Sequence, residues 1–280
     1  MIAFLESSDK GHLTHLKASL RWAAEVGMIS EAPKITMPHR AKELKHMKGR
    51  PITLEEFERM CDVIPKVVGI QHAESWRYFM DGLWESGLRI NEALNFWWDR
   101  SDKPMPYYLQ SPNRHPIIFI PAAADKGNED RELPITPQFA THLLQTPESQ
   151  RMGRVYSPTT KNQKGEHLTV KYVGRVITKL GKKANVKVSE KHDDATGEVV
   201  VKYASSHDLR RSFGDRLSRM PGINSRILKE FMRHKSISTT EKFYLSNDAQ
   251  LTAHVVHEAF ANTIANTSQN ERKKEGLSQH

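Results

Sequence analysis

The chain has 280 residues and a formal net charge of +9 at pH 7, long enough for one large domain or two smaller ones with real cores. The basic excess favours a polyanionic partner, most simply DNA or RNA. Cys61 is the only cysteine, which excludes an internal disulfide and a cysteine-based zinc site; with no signal peptide and no apolar run of transmembrane length, a cytoplasmic protein is expected.

From the N-terminus, Leu13, Leu16, Leu20 and Ala23 recur at helical spacing, and Gly27 ends the pattern. One amphipathic helix of this length cannot bury its face alone. It must pack on the rest of the chain, on another subunit, or on helices that this chain lacks. Residues 31–51 hold Pro33, Pro38, Gly49 and Pro51 among basic residues and read as a charged linker. From Arg40 to Arg50, the residues Arg40, Lys42, Lys45, Lys48 and Arg50 stand against Glu43 alone. They are candidate contacts to a nucleic-acid backbone, and plain solvation fits such a run equally well.

Thr53-Leu54-Glu55-Glu56 has the form of a capping box and starts a helix. Cys61 falls in an amphipathic pattern, as a small core residue would. Trp76, Phe79, Met80, Leu83 and Trp84 make a stripe that reads as core rather than as a stacking platform for bases. Gly87 supplies a stop, and a new helix follows with Ile90, Ala93, Leu94 and Trp97 inward. Arg89 starts that helix, where its own charge opposes the dipole. An incoming phosphate would be attracted by both the arginine and the helix end. Glu92, three residues on, is spaced to hold Arg89, although an ordinary surface pair has the same spacing.

Beyond Met105 the pattern changes. Residues 116–120 and 131–135 read as strands of a small antiparallel sheet, with Asp125-Lys126-Gly127-Asn128 as their turn. Lysines at hairpin tips, as Lys126 would be, are usually just solvated. Helices are expected at 137–145 and 169–183, and a second hairpin pairs Val186–Val188 with Val199–Tyr203. A last helix is expected at 248–266, followed by a mobile polar tail with Arg272-Lys273-Lys274.

The stretch from Ser205 to Leu245 is the most informative. Leu209, Phe213 and Leu217 fall four apart and form a buried seam. Ser205 suits an N-cap, with Asp208 in the first turn where the dipole favours a carboxylate. His207 and Arg210 sit three apart on one flank and can reach the same ligand. Spacing does not select Arg210, because Arg211 lies four from His207. One His and one Arg on a helix are more often a solvated face; only their company argues otherwise.

That company is Gly87-Leu88-Arg89-Ile90-Asn91-Glu92, then His207-x-x-Arg210, then His234 and Thr239-Thr240 followed by Tyr244. On these motifs, over about residues 52–250, the chain resembles the tyrosine recombinase (phage integrase) family. The likeness is closest to bacterial site-specific integrases with a box like that of Lys202 to Gly214. The implied fold is mainly α with a small antiparallel β-sheet, an α+β catalytic domain. The implied division is a partial core-binding helical remnant at 1–35, a basic linker at 36–51, the catalytic domain at 52–250, and a C-terminal helix and tail at 251–280.

The resemblance implies a site-specific recombinase that cleaves and rejoins DNA through a 3′-phosphotyrosine intermediate, without a cofactor or metal. Arg89 and Arg210 correspond to the two arginines that clamp the scissile phosphate, and Glu92 to the acidic residue supporting the first. Lys126 corresponds to the lysine that protonates the leaving 5′-oxygen. His207 is the histidine of the HxxR box, His234 the later histidine on the scissile phosphate, and Tyr244 the nucleophile. The implied partners are a double-stranded DNA recombination site, a tetramer on that DNA exchanging its C-terminal helix between subunits, and an accessory DNA-bending protein, with no membrane. Bound to DNA, such a protein is nucleoid-associated.

The chemistry accounts for these residue types. Attack on a phosphodiester builds negative charge on the non-bridging oxygens, which two guanidinium forks meet bidentately. A phenol with a pKa near ~10 needs activation before it can attack. One departure stands out: the family's usual pattern places the nucleophile nine residues after the His234 equivalent, which here is Phe243. Tyr244 comes one later, and on a helix one residue means ~100° of rotation. A DNA-binding relic with weakened catalysis is therefore the alternative. A type IB topoisomerase shares the chemistry but fits the motif block less well. His254-Val255-Val256-His257-Glu258 lacks the HExxH order of a metalloprotease.

Overall fold

The structure is a computed structural model. It describes residues 10–35, 49–124, 129–161, 167–192 and 198–233. Two compact units divide the chain, Met1–His46 and Met47–His280. In the first, helix α1 (Lys10–Glu25) ends just before Gly27, whose φ of 76° is left-handed. The Lys17 ammonium reaches the Ile35 carbonyl at 3.4 Å, and Leu16 and Trp22 are exposed.

The second unit begins with helix α2 (Leu54–Asp62). The Glu56 amide donates to the Thr53 hydroxyl at 3.2 Å and the Thr53 amide to the Glu56 carboxylate at 3.0 Å. This is the reciprocal cap that the sequence announces. Short α3 (Ile64–Val68) leads into α4 (Ile70–Ser86), against which α3, α6 (Pro137–Leu144) and α8 (Ser206–Ser218) pack. Trp76, Phe79, Met80, Leu83 and Trp84 of α4 are buried with Phe57, Met60 and Cys61 of α2. Phe57 stacks on Trp84 with ring centroids 4.5 Å apart. The aromatic stripe is therefore core, and so is the cysteine.

Helix α7 (Val170–Lys183) contributes Val173, Val176, Ile177 and Leu180 to the same core. A three-stranded antiparallel sheet runs in the order β1 (Met105–Tyr107), β2 (Ile117–Ile120), β3 (Arg131–Pro134). A second sheet pairs β4 (Lys187–His192) with β5 (Val199–Tyr203). Helix α9 (Ser225–Met232) follows α8. Among the described residues the unit is mostly helical with two small antiparallel sheets, the α+β class expected. No described helix is long and apolar enough to cross a membrane.

One expectation is corrected. The helix after Gly87, α5, spans only Ile90–Leu94, so Trp97 is not on it. The chain turns extended there: Phe96 and Trp98 are buried while Trp97 is half-buried, the alternation of a strand rather than of a helix. Trp97 forms a β-bridge with Arg154, and its amide donates to the Pro104 carbonyl at 2.9 Å.

His142 of α6 carries a stability consequence. Its ring is 4% exposed and stacks on Tyr78 at 4.3 Å. Its Nε2 has no hydrogen-bond partner among the described residues. Burial pushes its pKa down from 6.5 to about 4. The unfolded chain thus takes up this proton first, so stability is full above pH 6.5 and falls as the pH drops toward 4. The loss amounts to about 3 kcal/mol once both states are protonated. We expect His142→Phe to abolish this part of the acid dependence, as read from urea midpoints between pH 7 and 4. An unchanged slope in that variant would place the acid sensitivity elsewhere.

Candidate active site

Two stretches remote in sequence meet at this site: the α4–α5 junction and the consecutive helices α8 and α9. Gly87 closes α4 in the left-handed region, at φ 59° and ψ 18°. That turn places Arg89 as N-cap of α5 with extended backbone, φ −69° and ψ 146°. The Arg89 amide donates to Glu92 Oε2 at 2.6 Å and its Nη1 to Glu92 Oε1 at 2.8 Å. Its Nη2 donates to the Arg233 carbonyl at 3.4 Å. Arg89 nevertheless stays 44% exposed, braced yet accessible.

Arg210 reaches the same place from α8 and is only 7% exposed. Its guanidinium donates to the carbonyls of Gly87 and Met232. Both of these acceptors are neutral carbonyls, and the guanidinium also acts electrostatically on Glu92. Packing gives the two neighbouring arginines different partners. Arg211 ion-pairs with Asp208, a fully buried carboxylate that also accepts from the Ser205 amide at 3.0 Å and hydroxyl at 2.7 Å. Asp208 thus fixes the start of α8 and draws Arg211 away, while Arg210 faces α4 and α9. His207 lies exposed in the first turn of α8.

Arg233, which sequence reasoning missed, completes the cluster. Its side chain is 7% exposed, and its Nη2 lies 2.6 Å from Glu92 Oε2. Burial works to raise the Glu92 pKa, but Arg233, Arg210 and Arg89 outweigh it and hold the carboxylate below its ordinary value. Among the described residues three guanidiniums thus act on one carboxylate, an excess of positive charge that suits an anion. A basic residue at a helix C-terminus is so ordinary that nothing in the sequence marks Arg233 out.

The remaining candidates divide. Lys126, His234 and Tyr244, with Phe243, lie outside the described residues, as do Arg40, Lys42, Lys45 and Lys48 and the expected helix at 248–266. Arg50 is described, and its fork meets Glu56 at 2.5 and 2.7 Å and the Lys187 carbonyl at 2.9 Å. In this structure it ties α2 to β4.

Residues 50–250 match the phage integrase family, and the chain belongs to that family. Among curated proteins, it is similar to the tyrosine recombinase XerA of Pyrococcus furiosus, 26% identical over 216 residues that cover 77% of this chain and 62% of that protein. It is also similar to the tyrosine recombinase XerD of Lacticaseibacillus casei, 25% identical over 244 residues that cover 84% of this chain and 71% of that one. The chain therefore spans under two thirds of the length of XerA. Among solved structures, the Tn1549 transposon integrase in complex with transposon right-end DNA aligns with a TM-score of 0.52 and 18% identity, covering 88% of this chain and 76% of that one. That likeness is one of fold.

Proposed function

We propose that the chain is a site-specific DNA recombinase that cleaves and rejoins DNA strands through a 3′-phosphotyrosine on Tyr244. The observation that supports this reading most is the pairing of Arg89 and Arg210. They come from segments far apart in sequence and donate to the consecutive carbonyls of Arg233 and Met232. Two cationic forks held this close suit a phosphodiester with two non-bridging oxygens.

In the proposed reaction the Tyr244 hydroxyl attacks phosphorus and releases its proton to solvent. The new O–P bond forms as the bond to the 5′-oxygen breaks, and Lys126 gives its proton to that oxygen. His207 and His234 contact the phosphate region. Negative charge on the non-bridging oxygens is met by the arginines, each such donor being worth about 3–4 kcal/mol in an enzyme site. The phosphotyrosine conserves the energy of the broken bond, so a 5′-hydroxyl rejoins by the reverse path. The partner is a double-stranded recombination site, bound by a tetramer that exchanges its C-terminal segment, residues 248–266, between subunits, with an accessory DNA-bending protein.

The test is a denaturant-resistant protein–DNA adduct assay on nicked DNA from the flanks of the gene. We expect an adduct with the wild type and none with Tyr244→Phe. Phe243 occupies the family's usual position for the nucleophile and favours a second reading, a DNA-binding relic. Binding without an adduct in the wild type, but with one in Phe243→Tyr, would replace the first reading by the second.

A further inference from the structure

Arg233 acts on the site through both its backbone and its side chain. It stands one residue past α9 at φ 48° and ψ 47°, a left-handed conformation that a non-glycine residue holds only where its surroundings over-determine it. From that turn its carbonyl accepts from Arg89 Nη2 at 3.4 Å, and its guanidinium meets Glu92 Oε2 at 2.6 Å. The two oxygens of Glu92 are therefore divided: Oε1 accepts from Arg89 Nη1, and Oε2 accepts from the Arg89 amide and stands in ion-pair contact with Arg233. The preceding carbonyl, that of Met232, accepts from Arg210. Consecutive carbonyls at a helix C-terminus, where the dipole favours cations, thus carry one guanidinium each.

We propose that Arg233 is a positioning residue, whose guanidinium holds Glu92 in the rotamer that braces Arg89 and so makes the aim of Arg89 depend on the docked end of α9. The proposal rests on reading Arg89 and Arg210 as the phosphate clamp. Its physical content, the order of the Arg89 side chain, can be measured apart from that reading. A salt bridge that served stability alone would leave Arg89 aimed the same way without it.

Arg233→Gly in the full chain is the sharpest probe, because glycine keeps the left-handed turn and the carbonyl while deleting the guanidinium. Three quantities are to be measured: adduct formation at saturating nicked DNA, DNA affinity by gel shift, and the order of the Arg89 Nε–H group by ¹⁵N relaxation. We expect adduct formation to slow about ten-fold or more, as misplacement of a reacting group does. Affinity should stay within about three-fold, because most phosphate contacts lie elsewhere, and Arg89 should become mobile. Arg233→Lys should recover part of the rate. In a Glu92→Gln background Arg233→Gly should add little, because the two act as one unit. A full second loss in that background, or Arg89 order unchanged by Arg233→Gly, would overturn the proposal. If the wild type forms no adduct, the recombinase reading fails, and the order of Arg89 still decides the positioning role.

Discussion

Replacing Arg210 by alanine is expected to abolish adduct formation, slowing it by about a thousand-fold or more, since one lost donor in a reacting site costs up to about 4 kcal/mol. Non-specific DNA affinity should survive, because it arises from many phosphate contacts spread over a basic surface. The buried setting adds a second effect. Arg210 joins the carbonyls of Gly87 and Met232, so its removal leaves both without that donor in a region of low exposure. Hydrogen bonds to a charged group are each worth about 1.5–3 kcal/mol, and a loss of stability of that order should appear in urea unfolding. Arg210→Lys separates the two effects. A lysine can serve one carbonyl and restore part of the stability, but its point charge cannot meet a phosphate bidentately. Turnover near the wild-type rate in Arg210→Ala would remove Arg210 from the clamp.

The second large effect is expected at Gly87. Its φ of 59° costs a residue with a side chain about 1–2 kcal/mol. A Cβ there would also run into the Phe213 ring on α8, and overpacking a filled core costs about 1–3 kcal/mol more. Gly87→Ala should therefore lose about 3 kcal/mol, a large part of the stability of about 5–15 kcal/mol that a typical domain has. Gly153 is the control. It is also left-handed, with φ of 72°, but a Cβ there meets nothing within 4 Å, so Gly153→Ala should show the backbone cost alone. Equal losses in the two variants, read from urea midpoints, would exclude the crowding against Phe213. Because Gly87 carries the carbonyl that holds Arg210, its variant should also weaken DNA cleavage beyond what unfolding explains.

What could be read beforehand was local. Capping residues, the α4 stripe, the Arg89–Glu92 spacing and the seam of Leu209, Phe213 and Leu217 all follow from 3.6-residue periodicity, and all have counterparts in the fold. The choice of Arg210 over Arg211 was not legible from spacing, because it depends on a buried Asp208 and on carbonyls 123 and 22 residues away. Only the family likeness pointed to it. Arg233 was invisible for the same reason: its partner Glu92 lies across the fold. Strand β1 escaped notice because it is three residues long and contains Pro106, too little for an alternation to register. Trp97 misled because an apolar residue at helical spacing cannot reveal that the helix stops at Leu94.

The packing of α9 among the described residues has a consequence for how the site behaves in time. Phe213, Leu217, Leu228 and Met232 form a small apolar cluster separate from the main core, and Leu228 and Met232 are the buried residues of α9. A segment that rests on a small apolar cluster, as α9 does among the described residues, opens at a lower free energy than the whole domain. Each opening would withdraw the Met232 carbonyl from Arg210 and the Arg233 carbonyl from Arg89 together. The arginine cluster should therefore open more readily than the main core, and amide exchange in α9 should be faster than in α4. On the proposed function such an arrangement is a safeguard, because the paired aim of Arg89 and Arg210 exists only while α9 is seated.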